Sequence, residues 1–169
     1  MPAYNAERYI LPSVLSVLAQ TFEDFELLVV DDCSTDRTPD ILSSIQDRRL
    51  RVFRNQVNLG IVGSLNRAMA QARGRYIARI DADDYCVPTR FAKQKRYLDQ
   101  HPDILLVGAG TFILEGGHVR RDHRRADPDP AVLRWQCLIS NPIGHPTMMF
   151  RADAVAALGT YLREAFRCA

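Results

Sequence analysis

The chain has little that would mark a secreted, membrane-spanning or nucleic-acid-bound protein. Its four cysteines, Cys33, Cys86, Cys137 and Cys168, form no Cys-x-x-Cys pair. That spacing argues against a zinc site or a disulfide framework and suits a reducing cytoplasm. No apolar run approaches the ~18 residues that span a bilayer. The opening Met-Pro-Ala-Tyr-Asn has no basic stretch ahead of an apolar one, so no signal peptide is expected. Neither sign of charge is in excess: 22 Lys and Arg against 20 Asp and Glu leave +2, too little to draw nucleic acid by charge. No internal repeat or low-complexity stretch is visible.

What is there is the composition of an ordinary soluble globular protein, 47% hydrophobic and 25% charged over 169 residues, enough for one domain with a real core. Residues 25–30 are nearly all apolar, interrupted by Glu26, as expected of a strand buried on both faces. Residues 50–54, 75–80 and 104–110 read as further strands. Ile10, Val14 and Leu18 have helical spacing, and Pro12 fits only a first turn, so a helix starts near Leu11. More helices are predicted from Asp36 as N-cap to about Asp47, over 61–73 and over 89–99. Gly116-Gly117 predicts a hairpin turn, and Asp127-Pro-Asp-Pro130 opens a helix to about Leu138 with Trp135 as a packing residue. A Pro-rich loop at 141–146, a last strand at 147–151 and a short helix at 152–158 complete the reading. Strand and helix alternate from 25 to 106, which predicts an α/β fold with a mainly parallel sheet.

Two acidic clusters end two of these strands: Asp31-Asp32, and Asp81-Ala82-Asp83-Asp84. Parallel sheets bind ligands beyond the carboxyl ends of their strands, so both clusters are expected on one rim. Crowded carboxylates repel, and a divalent cation relieves them. On extended chain Asp81 and Asp83 point to one side, one to hold a hard cation and the other a ligand's hydroxyls. Magnesium binds in this way, through one or two carboxylates plus substrate phosphates. The alternative is two solvated acidic turns; a shared rim favours a metal-nucleotide site.

With these residues in hand, the chain resembles glycosyltransferase family 2, the inverting sugar transferases of GT-A (nucleotide-diphospho-sugar transferase-like) fold. The resemblance rests on Pro2-Ala3-Tyr4-Asn5, on Ser-Val-Leu-Ala-Gln-Thr at 16–21, and on Val-Asp-Asp-Cys-Ser-Thr-Asp at 30–36. It continues through Asn58-Leu59-Gly60, Asn66, Gly74, Asp81-Ala82-Asp83-Asp84 and His145-Pro-Thr-Met-Met-Phe-Arg151. It implies a nucleotide-diphosphate-sugar donor, most often a uridine one, with magnesium or manganese, and a saccharide or lipid-linked acceptor. Pro2, Ala3, Tyr4, Asn5 and Glu7 would frame the nucleotide, with Asn58, Gly60, Asn66 and Ala82 in the same site. Asp31 or Asp32 would accept a hydrogen bond from the base, Asp32 being favoured. Asp81 would face the ribose or the metal, and Asp83 would bind the metal that bridges the diphosphate. His145 and Arg151 fall on the acceptor side. Residues 1–100 become the donor-binding half of one domain and 101–169 a partial acceptor-side half.

The family pattern also implies what to look for at the two ends. An apolar strand normally precedes the Pro-Ala-Tyr-Asn loop, centrally in the sheet between the strands ending at Asp32 and Asp81. Only Met1 stands there, so that first strand is expected to be missing. Its slot would then be closed by rearrangement, by another segment, or by a second copy in a homo-oligomer, because unpaired buried backbone is costly. The general base of an inverting transfer is expected beyond Ala169; Glu164 and Asp153 read as surface acids. Arg120, Arg121, Arg124 and Arg125 read as a solvated loop or as a contact for an anionic acceptor or membrane surface. The implied location is cytoplasmic, at or near the inner face of the membrane. Two other readings compete. One is a non-catalytic nucleotide-binding or assembly module. The other is a sugar nucleotidyltransferase, disfavoured because Pro2-Ala3-Tyr4-Asn5 has neither the glycine nor the lysine of a phosphate loop.

Overall fold

In chain order the computed structural model contains β1 (Pro2–Ala3), α1 (Ile10–Leu18), β2 (Leu27–Asp31), α2 (Thr38–Ser44), β3 (Leu50–Arg54), α3 (Gly60–Gln71) and β4 (Tyr76–Ala78). There follow α4 (Arg90–Gln100), β5 (Leu106–Val107), β6 (Phe112–Glu115), β7 (His118–Arg121), α5 (Pro130–Ile139), a 3-10 turn (His145–Thr147) and β8 (Met149–Arg151). The structure describes residues 1–122, 127, 129–154 and 159. Arg124, Arg125, Glu164, the aromatic run at 161–166 and most of the helix predicted at 152–158 lie outside them.

The apolar run at 25–30 becomes β2, buried along its whole length. It lies between β1 and β3 in a parallel sheet, with Pro2 opposite Val30 and Leu27 opposite Leu50. Its alternate side chains serve two layers. Leu27 and Val29 join Ile10, Val14 and Val17 of α1, Leu42 of α2 and Phe91 and Leu98 of α4. Leu28 and Val30 pack with Ala68 of α3 on the other face. This is the two-sided burial that an uninterrupted Val-rich strand requires. The first two-thirds is therefore α/β, as expected.

The remaining strands form separate antiparallel sheets. One has the order β4-β8-β5, with Ile77 opposite Phe150 and Leu106 opposite Phe150 on the other side. The other is the β6–β7 hairpin around Gly116 and Gly117, whose φ values of 57° and 82° are ones that side chains rarely adopt.

Three expectations need correction. Pro2 and Ala3 are a strand and not loop, because their backbone pairs with Val30 and Asp31. The strand predicted over 104–110 shrinks to Leu106–Val107, the residues there that pair in register with β8. Trp135 is not a packing residue: it is 69% exposed, on a helix that also leaves Leu138 and Ile139 in solvent.

Among the described residues no strand joins the β1-β2-β3 sheet to the β4-β8-β5 sheet. Met1 occupies only the near end of the gap: its amine donates to the Leu28 carbonyl at 2.9 Å, and its own carbonyl accepts from the Val30 N–H at 2.9 Å. That amine is buried, and burial pushes its pKa down from 8.0 to about 5.

Candidate functional site

The loop after β1 is stitched to the loop after β2. Asn5 sits at φ 48° and Cys33 at φ 63°, both in the left-handed region. The Asn5 N–H donates to Ser34 Oγ, and Asn5 Oδ1 accepts from the Thr35 N–H. The Ala6 N–H donates to Thr38 Oγ1 and the Glu7 N–H to Asp36 Oδ2, while Glu7 Oε2 accepts from the Arg37 N–H. Asn5 and Glu7 thus hold one rim rigid, and Tyr4, half exposed, stands on it.

Both carboxylates at the end of β2 are buried, but they are used differently. Asp31 Oδ1 accepts from the Ser34 N–H at 3.1 Å, and its Oδ2 is ion-paired with Arg54 Nε at 3.2 Å but buried without a hydrogen bond. Asp32 spends only Oδ1, which accepts from Asn55 Nδ2 at 2.6 Å and from the Leu59 N–H at 2.8 Å. Its Oδ2 takes no hydrogen bond from the described residues. Asn55 also donates to Ser64 Oγ and accepts from Arg67, so Asp32 is oriented by a buried network rooted in α3. Asn58 is exposed and accepts from the Gly60 N–H, and Gly60 has φ 73°; together they shape the turn into α3. Asn66 is half-buried on α3.

The second acidic cluster does not run extended, as its even spacing had suggested. The chain turns at Ala82 and Asp83, with the Asp84 N–H donating to the Asp81 carbonyl at 3.3 Å. Asp81 and Asp84 are therefore half-buried, Ala82 is buried, and Asp83 is exposed. The three carboxylates still crowd one another. Burial pushes the Asp81 carboxyl above the ordinary range; Arg79 pulls it back, and Asp83 pushes it further up. Asp84 is raised by burial and by both neighbouring carboxylates. Arg79 Nη2 stands 2.9 Å from Asp81 Oδ1 as an ion pair, yet that oxygen is buried without a hydrogen bond. Ser13 of α1 anchors the turn by donating to the Asp81 carbonyl.

These features fit a divalent cation: crowded carboxylates, one of them with a buried oxygen short of a donor. Among the described residues no three metal-ligating side chains gather, so Asp81 and Asp83 would hold the ion together with a ligand's phosphates.

His145 is brought to this cluster. Burial lowers its pKa, Arg79 lowers it further, and Asp81 opposes them, so the imidazole lies within the field of both charges. Arg151 is not at the site. Its Nε donates to the Ile104 carbonyl and its Nη2 to the carbonyls of Leu98 and His101, and its Nη1 reaches the Tyr76 hydroxyl. A guanidinium committed to those acceptors is structural, which corrects its acceptor-side assignment.

Sequence reasoning missed Arg79 and Arg90, both buried charges beside the acidic turn. Arg90 Nη2 donates to the Arg79 carbonyl at 2.7 Å and to the Met148 carbonyl at 3.3 Å, tying α4 to β4 and β8. An arginine between Ala78 and Ile80 in an apolar strand was the available signal for Arg79.

Comparison with known proteins is consistent with this geometry. The family model described as Glycosyl transferase family 2 matches residues 1–159. An uncharacterised glycosyltransferase of Haemophilus influenzae is 36% identical over 161 residues, covering 89% of this chain and 50% of that protein. An Escherichia coli protein, the UDP-Glc:alpha-D-GlcNAc-diphosphoundecaprenol beta-1,3-glucosyltransferase WfaP, is 40% identical over 97 residues, 57% of this chain and 39% of that protein. Among solved structures, Staphylococcus aureus TarS (residues 1–349) in complex with UDP superposes with a TM-score of 0.75 at 26% identity, over 99% of this chain and 50% of that one. The chain thus spans about half the length of the Haemophilus protein, and the likeness to TarS gives it a GT-A-like fold.

Proposed function

Because the chain belongs to glycosyltransferase family 2, we propose that it takes a sugar from a nucleotide-diphosphate donor, a UDP-sugar, and passes it with inversion to a lipid-linked or other saccharide acceptor. Residues 1–100 serve as the donor half and the remainder as the acceptor side. The UDP in the TarS complex supports the uridine donor, and the name of the E. coli relative supports both a UDP-sugar and a lipid-diphosphate-linked acceptor.

The observation that carries this reading is the difference between the two carboxylates after β2, Asp31 ion-paired with Arg54 and Asp32 held through Oδ1 alone, together with the crowded carboxylates after β4. Asp32 is oriented through Oδ1 and keeps Oδ2 for an N–H donor on the base. Pro2, Ala3, Tyr4, Asn5 and Glu7 form the rigid rim on which the nucleoside lies. Asn58 and Gly60 keep that rim's far turn in shape. Asp81 meets the ribose or the cation, and Asp83, the most exposed of the three acids, reaches the cation. Magnesium or manganese, when bound, neutralises the charge that grows on the leaving diphosphate. Arg79, ion-paired with Asp81, offsets part of the burial that raises its carboxyl above the ordinary range. His145 lies beside Asp81, where the acceptor would approach. Work on a lipid-linked acceptor would bring the protein to the inner face of the membrane by surface contact; among the described residues no helix is long and apolar enough to cross it.

The test is a thermal shift with uridine diphosphate, with and without manganese. Ligand at 100 times its Kd stabilises by about 2.7 kcal/mol, which moves Tm by roughly 5–10 °C for a chain of this size. The rise should require manganese and disappear in Asp83→Ala, whose own Tm should stay within about 1 °C because the side chain is exposed. A well-folded chain unmoved by uridine and other nucleoside diphosphates would refute the donor site. A metal-dependent shift with no sugar transfer would favour the non-catalytic module instead.

A further inference from the structure

β4 and β8 pair only from Tyr76 with Arg151 to Ala78 with Met149. Beyond that register their chains part. One runs on through Arg79 into the acidic turn at 81–84, and the other comes from the 3-10 turn that carries His145. Where they part, the Arg79 N–H donates to the Met148 carbonyl at 2.8 Å. From there on, side chains of α4 take the place of a strand. Arg90 Nη2 reaches the carbonyls of Arg79 and Met148, one on each chain. Gln94 stands one turn further along the same helix face. Its Oε1 accepts from Arg90 Nε at 3.0 Å, and its Nε2 donates to the Thr147 carbonyl at 2.8 Å. Both side chains are buried, the residues being 8% and 6% exposed.

A buried guanidinium resists desolvation, which lowers its pKa, so packing alone would be served better by an apolar side chain. Here the polar groups answer particular carbonyls. That of Arg79 stands two residues before Asp81, and those of Thr147 and Met148 stand two and three residues after His145. The His145 turn is itself a stiff unit: Thr147 Oγ1 donates to the Gly144 carbonyl and accepts from the Ala109 N–H. Holding Thr147 therefore holds the turn. The acidic side has a further anchor on α1. Gln20 donates to the Val87 carbonyl and accepts from the Phe91 N–H, and Ser16 Oγ accepts from the Cys86 N–H. These bonds all fall on the loop between the acidic turn and α4.

We propose that Arg90 and Gln94 are positioning residues for sugar transfer, which hold the His145 turn at a fixed place beside the cation-binding turn and make the donor and acceptor sides of the site one body. This rests on the donor-site reading of the acidic turn. Arg90 grips both chains, and Gln94 orients Arg90 and adds the grip on Thr147. Loss of the Gln94 amide N–H therefore releases the His145 turn while the Arg79 carbonyl stays held. Fixed placement matters because a misplacement of about 1 Å can cost on the order of 100-fold in rate.

The experiment reads the two sides separately. Uridine diphosphate affinity, measured by titration calorimetry with magnesium, reports on the acidic turn. The imidazole resonance of His145, identified with His145→Gln in chain carrying labelled histidine, reports on the other turn. In the unsubstituted chain, saturation with uridine diphosphate and magnesium should move that resonance. Gln94→Glu keeps the acceptor for Arg90 Nε and loses the donor to Thr147. It should bind within about threefold of the unsubstituted chain and should lose the His145 shift at saturation. Gln20→Met should do the reverse, weakening binding at least roughly fivefold and keeping the shift. Gln94→Met, uncharged and adaptable in shape, is read in the same way and carries the test if Gln94→Glu does not fold. A full His145 shift in the Gln94 variant would overturn the proposal. So would a loss of affinity equal to that of Gln20→Met, which would make the pair a general support of the fold. An unsubstituted chain that binds while its His145 resonance stays still would overturn the positioning role alone. One that does not bind would overturn the donor-site reading, and the positioning role with it.

Discussion

Arg151 and Asp32 illustrate how far single residues can be read before the fold is known. Both match positions of a recognisable pattern, and the pattern says nothing of what each side chain touches. Arg151 is buried under the carbonyls of Leu98, His101 and Ile104, at and just beyond the end of α4. Arg151→Ala strips charged donors from several buried acceptors, and hydrogen bonds to charged groups are worth about 1.5–3 kcal/mol each. The variant should lose about 3–5 kcal/mol in urea unfolding, whatever ligand is present. Asp32→Asn keeps the shape of the side chain but turns an acceptor of two N–H groups into a weaker one and offers the base a donor. It should lose at least tenfold in nucleoside diphosphate affinity by titration calorimetry, and about 1–2 kcal/mol of stability. Asp31, adjacent in sequence and equally acidic, was distinguishable only by its partners, Ser34 and Arg54.

At the scale of elements, the signals with a local physical cause were legible. Pro12 and the apolar spacing placed α1 and Gly116-Gly117 placed the β6–β7 hairpin, whereas the N-cap of α2 is Arg37 and not the expected Asp36, which stands one residue ahead and accepts the Thr38 N–H through Oδ1. Because the other oxygen of Asp36 holds the Glu7 N–H, the same carboxylate fastens the loop after β1 to the start of α2. Asp36→Ala removes the acceptor of the Thr38 and Glu7 N–H groups, should cost about 1–2 kcal/mol, and should weaken donor binding by loosening the loop after β1; calorimetry on the variant separates the two losses. Strand lengths were less legible. The apolar run near 104–110 offers several residues of strand character, but only Leu106 and Val107 find a partner in β8. A strand is defined by its neighbour, and the neighbour comes from more than 40 residues further along. Trp135 fails for the same reason: amphipathic spacing marks a face and does not say what meets it.

For the molecule as a whole, the buried Met1 amine makes a pH prediction with a definite sign. Unfolded, the group titrates near 8.0; folded, burial lowers it to about 5. Between those values the unfolded chain binds the extra proton, so stability rises with pH from 5 to 8, by about 4 kcal/mol at 1.36 kcal/mol per unit. Other groups titrate in part of this range, including His145, so the isolating comparison is with the chain acetylated at its amine. Urea unfolding of the two forms at pH 5 and pH 8 should show the free amine gaining more stability, and a parallel response would refute the burial. The amino-acid sequence by itself determined the alternation of strand and helix, the family and the two acidic strand ends, because each rests on local periodicity or on short motifs whose chemistry travels with them. Only the tertiary structure decided which partners Asp31 and Asp32 meet, that Arg79 pairs with Asp81, and that the Met1 amine is buried on the Leu28 carbonyl. The reason is the same in each case: hydrogen-bond partners, burial and strand edges are relations between distant residues, and they exist only once the chain has brought those residues together.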